Sequence, residues 1–226
     1  MSRRLDYWED LVPEKIYHIY NRAVGKENLF RKPDNYRYFL DKWKQHLPYL
    51  EVYAYCLMPN HFHFLARVKP LDDDLITHLK KQTTVKSQLL LHGELSYSKY
   101  LEDQFKRLFS GYALAFNRQE DRPGALFQKR FKRISVKSEM KLLYLLAYIH
   151  HNALHHGFCT AYEDWPYSSW SAYQRLEKRS LLNREEVLSW FHADPVRARA
   201  LFLEYHREFR LDREMEDYVY ETFEVS

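Results

Sequence analysis

Residues 50–68 read LEVYAYCLMPNHFHFLARV. Two runs rich in β-branched and aromatic residues flank Met58-Pro59-Asn60. Proline cannot donate to a sheet ladder, so the spacing predicts strands over 50–57 and 61–68, joined as an antiparallel hairpin. Side chains i and i+2 of a strand share a face. His61 and His63 therefore point one way and Phe62 the other, into apolar surroundings, and the alternation of Val52, Ala54 and Cys56 fits a half-buried sheet. Two same-face imidazoles suit a divalent cation such as Mg²⁺ or Mn²⁺, completed by oxygen ligands from water, phosphate or a side chain. A His-x-His also arises by chance in a chain with 12 histidines. A histidine-triad arrangement would need a third His at 65, where Leu65 stands.

Outward from this hairpin, residues 15–24 (KIYHIYNRAV) read as a strand, and 33–47 as a helix opened by Pro33, with Tyr36, Phe39, Leu40, Trp43 and Leu47 at helical spacing. Helical stretches follow over about 74–91 and 97–118. Arg122-Pro123-Gly124 signals a turn and 131–136 (FKRISV) a short strand. Ser138 is placed to cap a helix that runs through Asn152 and ends by Gly157. The order β-α-β-β-α-β-α predicts an α+β fold, a ferredoxin-like (split βαβ) antiparallel sheet with helices on one face. Beyond about 180 the pattern becomes a C-terminal helical extension: Asn183 caps 184–191, Pro195 opens a longer helix toward Phe209, and 212–226 is acidic and expected to be loosely held. The expected division is 1–178 and 179–226.

The 226 residues are 46% apolar and 29% charged, ordinary for a globular chain, but 19 Tyr, 14 Phe and 5 Trp are many. Most of these rings should build the core, and some could stack on unpaired bases. A net charge of +4 permits nucleic acid as a partner without demanding it. Cys56 and Cys159 are too few for a disulfide framework or a four-ligand zinc site. No apolar run approaches the roughly 20 residues that span a bilayer, and no secretory h-region follows Arg3 and Arg4, so a cytoplasmic protein with no membrane partner is expected.

Tyr144, Tyr148 and Asn152 stand at i, i+4 and i+8, near one stripe of their helix. A tyrosine hydroxyl can attack phosphorus once a metal neutralises the scissile group, and an Asn one turn away can supply that metal a neutral oxygen. The same spacing suits core aromatics, and the residues alone leave both readings open. Lys129, Arg130, Lys132, Arg133 and Lys137 cluster about the fourth strand with Phe127 and Phe131 between them. That alternation suits a backbone-tracking groove with stacked bases, and equally a charged edge strand that blocks aggregation. Arg22 and Lys26 are weaker candidates for the same role. Trp165, Trp170 and Tyr173 are read as packing the tyrosine helix against the sheet.

Five ordered stretches resemble one family, the REP-associated tyrosine transposases, a branch of the single-tyrosine HUH transposases. They are IYHIYNRAVGKENLF at 16–30, AYCLMPNHFHFLARV at 54–68, FNRQEDRPGALFQKRFKRISV at 116–136, YLLAYIHHNALHHGF at 144–158 and WPYSSWSAY at 165–173. The resemblance implies His61 and His63 as metal ligands, Asn152 as a third, and Tyr148 as the nucleophile, with Tyr144 as its rival. It departs at Ala153, where the family usually has Pro, and at His151, where an apolar residue is more common. It further implies a single-stranded DNA endonuclease that forms a 5′-phosphotyrosine near a DNA hairpin with Mg²⁺ or Mn²⁺, as a monomer or homodimer. The residues identify no general base for the tyrosine proton; Lys137 is a candidate only by its proximity to the fourth strand. A water-using metal nuclease and a non-catalytic nucleic-acid-binding module are the alternatives.

Overall fold

The computed structural model describes residues 7–212; the acidic stretch beyond lies outside them. Strands β1 (Ile16–Arg22), β2 (Leu50–Met58), β3 (His61–Val68) and β4 (Lys132–Ser135) form one sheet in the order β2-β3-β1-β4, every neighbour antiparallel. This is the split βαβ pattern expected from the element order. Helix α1 (Pro33–His46) makes the first crossover. The stretch read as one helix over 74–91 is two, α2 (Asp73–Lys80) and α3 (Val85–Leu91). They part because Thr84 leaves the helical region to cap α3, its side chain accepting from Ser87 N. Helix α4 (Tyr97–Gln119) completes the second crossover.

The faces follow strand parity. Tyr17, Ile19, Phe62, Phe64, Ala66 and Val68 pack beneath α1 and α4, in one cluster with Phe39, Trp43, Phe105 and Tyr112. Phe62 lies where the hairpin reading put it, with Phe39 at 5.1 Å between ring centroids, and Trp43 stacks on Phe64 at 3.5 Å. Leu65, Ala54, Cys56 and Met58 belong to a second cluster on the opposite face, beneath helix α5 (Glu139–His155). The expectation of helices on one face therefore holds for α1 and α4 and needs correction for α5: the face bearing His61 and His63 also carries Leu65, Ala54 and Cys56 at 0% exposure and requires a cover. The alternation expected for Val52, Ala54 and Cys56 is broken as well. The ladder shifts register between Val52 and Ala54, so Val52 opposes Ala66 while Ala54 opposes Leu65, and Val52 packs with the first cluster.

Short helix α6 (Trp170–Gln174), α7 (Arg184–Ser189) and α8 (Pro195–Glu208) join the α5 side. Trp170 and Tyr173 are buried there, as expected. The segment before α6 covers the β2 edge, with Leu57 N donating to the Tyr167 carbonyl and Ser169 N to that of Tyr55. Arg67 on β3 reaches Glu186 of α7 at 3.0 Å, and Asn183 Nδ2 donates to Glu51 on β2 at 2.8 Å. A buried polar chain crosses the second cluster: His150 Nε2 meets Ser169 Oγ at 2.7 Å, and its Nδ1 meets His206 Nε2 at 2.9 Å.

Burial pushes His206 down from 6.5 to about 4 and His150 well below its ordinary value. The unfolded chain takes up these protons near pH 6.5 while the folded chain refuses them until far lower. For His206 this contribution is full above pH 6.5 and is lost as pH falls toward about 4, at roughly 1 kcal/mol per pH unit, and His150 adds a loss of the same sign. Urea midpoints should fall on going from about pH 7.5 to about pH 5. His206→Leu should make that fall shallower by about one histidine's share.

Candidate active site

The site is built by β1 and β3 below and α5 above. Register places Arg22 opposite His61, Tyr20 opposite His63 and His18 opposite Leu65, so all of these side chains except Leu65 bring polar groups to one face. The rings of His61 and His63 stand 5.2 Å apart at 89°. Each is held through its Nδ1. His61 Nδ1 meets Asn60 Oδ1 at 2.7 Å; an amide oxygen only accepts, so the proton is on Nδ1 and Nε2 is the nitrogen offered to a ligand. His63 Nδ1 meets His18 Nε2 at 2.8 Å. Imidazoles that bind metals are characteristically oriented by such a bond at the other nitrogen. Burial pushes His61 and His18 down to about 3 and His63 well below the ordinary range, so all three are neutral at physiological pH. For His61, His156 and Arg22 add to the downward push and Asn152 opposes it.

Ser138 caps α5 by accepting from Lys141 N, and the helix then runs over the histidines. Tyr148 stands edge-on to His63, ring centroids 5.7 Å apart at 86°. Asn152 Nδ2 donates to the Tyr148 carbonyl at 3.0 Å, which fixes the amide. Its Oδ1 is buried and makes no hydrogen bond of ordinary geometry, although the side chain is near enough to His61 to influence it. Among the described residues, no three His, Cys, Asp or Glu side chains converge as a metal site. The donor set is two imidazoles and a buried amide oxygen, which fits a divalent ion that completes its shell with phosphate or water oxygens. Tyr144 stacks on Tyr148 at 6.2 Å but packs against Phe209, and its hydroxyl accepts from Asp212 N at 3.4 Å.

The cations expected at DNA separate into three groups. Arg22 and Lys132 share the histidine face; Lys132 opposes Tyr20, with Nζ 5.8 Å from that ring. Lys129 and Arg130 are exposed and line a groove of about 1070 Å³ with Lys86, Lys106 and Phe109, beside the β4 edge on the other face. Arg133 and Lys137 both face acids, the first buried among its partners and the second still largely exposed in its pair. Arg133 is 5% exposed, bonded to Glu102 and to the Glu9 carbonyl, so it presents no charge to a phosphate. Lys137 pairs with Glu9 at 3.3 Å, and Glu9 bonds Ser135 on the face away from the histidines, which removes the basis for Lys137 as general base. Phe127 and Phe131 are core rings rather than exposed platforms, Phe131 lying 4.3 Å from Phe105.

The site also holds residues that the sequence reading missed. His18 orients His63, and Tyr20 stacks beside both at 4.6 and 5.7 Å. The signal was the alternation His18, Tyr20, Arg22 within the first strand. His156 stands one turn beyond Asn152, its ring 5.1 Å from that of His61.

A Haemophilus influenzae protein described as "Putative REP-associated tyrosine transposase" is 29% identical over 127 residues, 55% of this chain and 61% of that protein. The chain resembles the REP-associated tyrosine transposases. The resemblance read in the five sequence stretches is thus met again in a curated relative, although the match spans less than two thirds of that relative's length. A solved REP-associated tyrosine transposase bound to a REP hairpin shares the fold, with a TM-score of 0.55 over 80% of this chain and 90% of that one at 14% identity. No family model matches the chain. No helix of the described residues is long and apolar enough to cross a membrane.

The engagement of Arg133 has a measurable consequence. Arg133→Ala removes a buried guanidinium and leaves Glu102 and the Glu9 carbonyl without it, and should cost about 2 kcal/mol in urea unfolding, less than a fully buried pair because Glu102 is partly exposed. Lys132→Ala should cost less than about 1 kcal/mol.

Proposed function

We propose that the protein is a single-tyrosine HUH-type endonuclease or transposase that cuts and rejoins single-stranded DNA beside a hairpin. The observation that carries this reading is the meeting of Tyr148 and Asn152 on α5 with His61 and His63 on β3. The resemblance in sequence and fold to REP-associated tyrosine transposases supports it, and the solved relative's REP hairpin supports the substrate class.

In this reading His61, His63 and Asn152 hold Mg²⁺ or Mn²⁺. The bound ion would neutralise charge at the scissile phosphate and orient it. The Tyr148 hydroxyl attacks phosphorus; the new bond is Tyr–O–P, the bond broken is P–O3′, and the proton the phenol loses is balanced by the one the leaving 3′ oxygen takes up. The products are a 5′-phosphotyrosine and a free 3′-OH. Attack by a 3′-OH on that linkage restores a phosphodiester and frees Tyr148, so no nucleotide triphosphate is consumed. Arg22 and Lys132, on the histidine face, are placed to meet phosphates near the cut, while Lys129 and Arg130 meet the strand around the β4 edge. Tyr148 is 1% and Asn152 0% exposed, so the reaction includes an opening step that lets the strand between α5 and the sheet. Water-based cleavage would leave no protein–DNA adduct, and a binding module would leave the strand intact.

The test is incubation with hairpin-flanked single strands and Mn²⁺, followed by denaturing gels and peptide mapping of the adduct. Tyr148→Phe keeps the ring and should abolish both adduct and cutting, whereas Tyr144→Phe should keep substantial activity. A nucleotide mapped to any residue other than Tyr148 overturns the assignment, and cutting without an adduct overturns the mechanism. Lys132→Glu should weaken single-strand binding and lower the log–log salt slope by roughly 0.7. An unchanged slope would place Lys132 outside the DNA path.

A further inference from the structure

The stripe of α5 that carries Tyr148 and Asn152 continues for another turn to His156, at i+8 from the tyrosine. His156 is the C-cap of the helix, and its backbone N–H donates to the Asn152 carbonyl at 3.0 Å. Its ring lies 5.1 Å from that of His61 at 80°, closely matching the 5.2 Å and 89° between His61 and His63. Two imidazoles bound to one ion through nitrogens at ~2.1 Å, at ligand angles of about 90–110°, hold their ring centroids roughly 5 Å apart. His61 thus stands between two rings, each at the spacing of a shared ligand.

From this geometry we infer that His156 is an additional, swinging metal ligand, and that it makes the site one for a nitrogen-preferring divalent cation such as Zn²⁺ or Co²⁺ as well as Mg²⁺ or Mn²⁺. The inference rests on the metal reading of His61 and His63. The three imidazoles do not yet converge on one point. His61 and His63 are fixed in the sheet by their Nδ1 bonds, so the adjustment falls to His156, which is exposed at the helix end and turns about its side-chain torsions. Adding a third imidazole to two imidazoles and an amide shifts preference from hard oxygen-seeking ions toward the borderline metals that imidazole suits. The ion would also bridge β3 to the end of α5, the helix that has to move for a strand to enter. Zn²⁺ at that bridge would hold the site closed in a way that Mg²⁺ would not, because Mg²⁺ keeps oxygen ligands and has no call on His156.

The test is calorimetric titration of the full chain with ZnCl₂, CoCl₂ and MgCl₂, together with the visible absorption of the Co²⁺ form and the metal-induced rise in Tm. His156→Ala, at an exposed position, should fold normally. It should weaken Zn²⁺ binding by at least about tenfold, reduce the Co²⁺ absorption and shrink the Zn²⁺-induced rise in Tm, with Mg²⁺ binding unchanged. His155→Ala, beside it, should alter none of these. Zn²⁺ affinity unchanged in His156→Ala overturns the inference while leaving the metal reading intact. An equal loss in His155→Ala also overturns it, by assigning the ion to a surface pair of His155 and His156. Zn²⁺ and Mg²⁺ binding that both survive in folded His61→Ala and His63→Ala overturn the metal reading itself.

Discussion

The antiparallel register of β1 against β3 is the constraint on which the rest depends. It sets Arg22, Tyr20 and His18 against His61, His63 and Leu65. Because side chains alternate with period two, a slip of one residue would send both histidines into the aromatic core and Phe62 and Phe64 under α5. The stack of Phe64 on Trp43 and the packing of Phe62 on Phe39 oppose that slip from one side, and the bond between His18 and His63 opposes it from the other. The apolar face thus specifies the geometry of the polar one.

The histidine face is an unusual surface to bury, because it mixes Leu65, Ala54 and Cys56 with imidazoles, a phenol and two cations. Helix α5 resolves the conflict by meeting it with a mixed surface of its own. Leu145, Ile149 and Ala153 supply apolar contacts in the second cluster, while Tyr148 and Asn152 meet the histidines. Polar groups buried in this way need defined partners. Asn60, His18 and the Tyr148 carbonyl provide them, and in doing so aim both imidazoles and the amide. Helices α7 and α8 then pack on α5 and β2 through Val187, Phe202 and the chain from Ser169 through His150 to His206. The helix bearing the proposed nucleophile is accordingly tied on its far side to the C-terminal helices, and its freedom to open depends on them.

Much of the fold was legible in the sequence, because its signals are local. The boundaries of β3, the cap at Ser138, the Pro195 start of α8 and the shared face of His61 and His63 all follow from turn chemistry, capping and two-residue periodicity within a few neighbouring positions. The stripe of Tyr144, Tyr148 and Asn152 is local in the same sense, and so was the resemblance carried by the five stretches. These features need no knowledge of what packs where.

Tertiary structure alone decided which of those residues meet. Periodicity gives a helix a stripe but not the sheet face beneath it, so that α5 covers the histidines emerges only once apolar area on both sheet faces has to be buried. The register shift between Val52 and Ala54 sends Val52 to the first cluster through a ladder irregularity that composition does not announce. The basic cluster looked uniform along the chain, yet strand parity and long-range acids divide it: Lys132 lies on the histidine face beside Tyr20, while Arg133 and Lys137 go to Glu102 and Glu9. His18 and His156 are separated from His61 by 43 and 95 positions, respectively, and their places beside the paired histidines depend on contacts across that distance. The sequence by itself determined the elements and the residues able to do chemistry; the packing of distant elements determined which of them share one site, because burial and charge pairing act in space rather than along the chain.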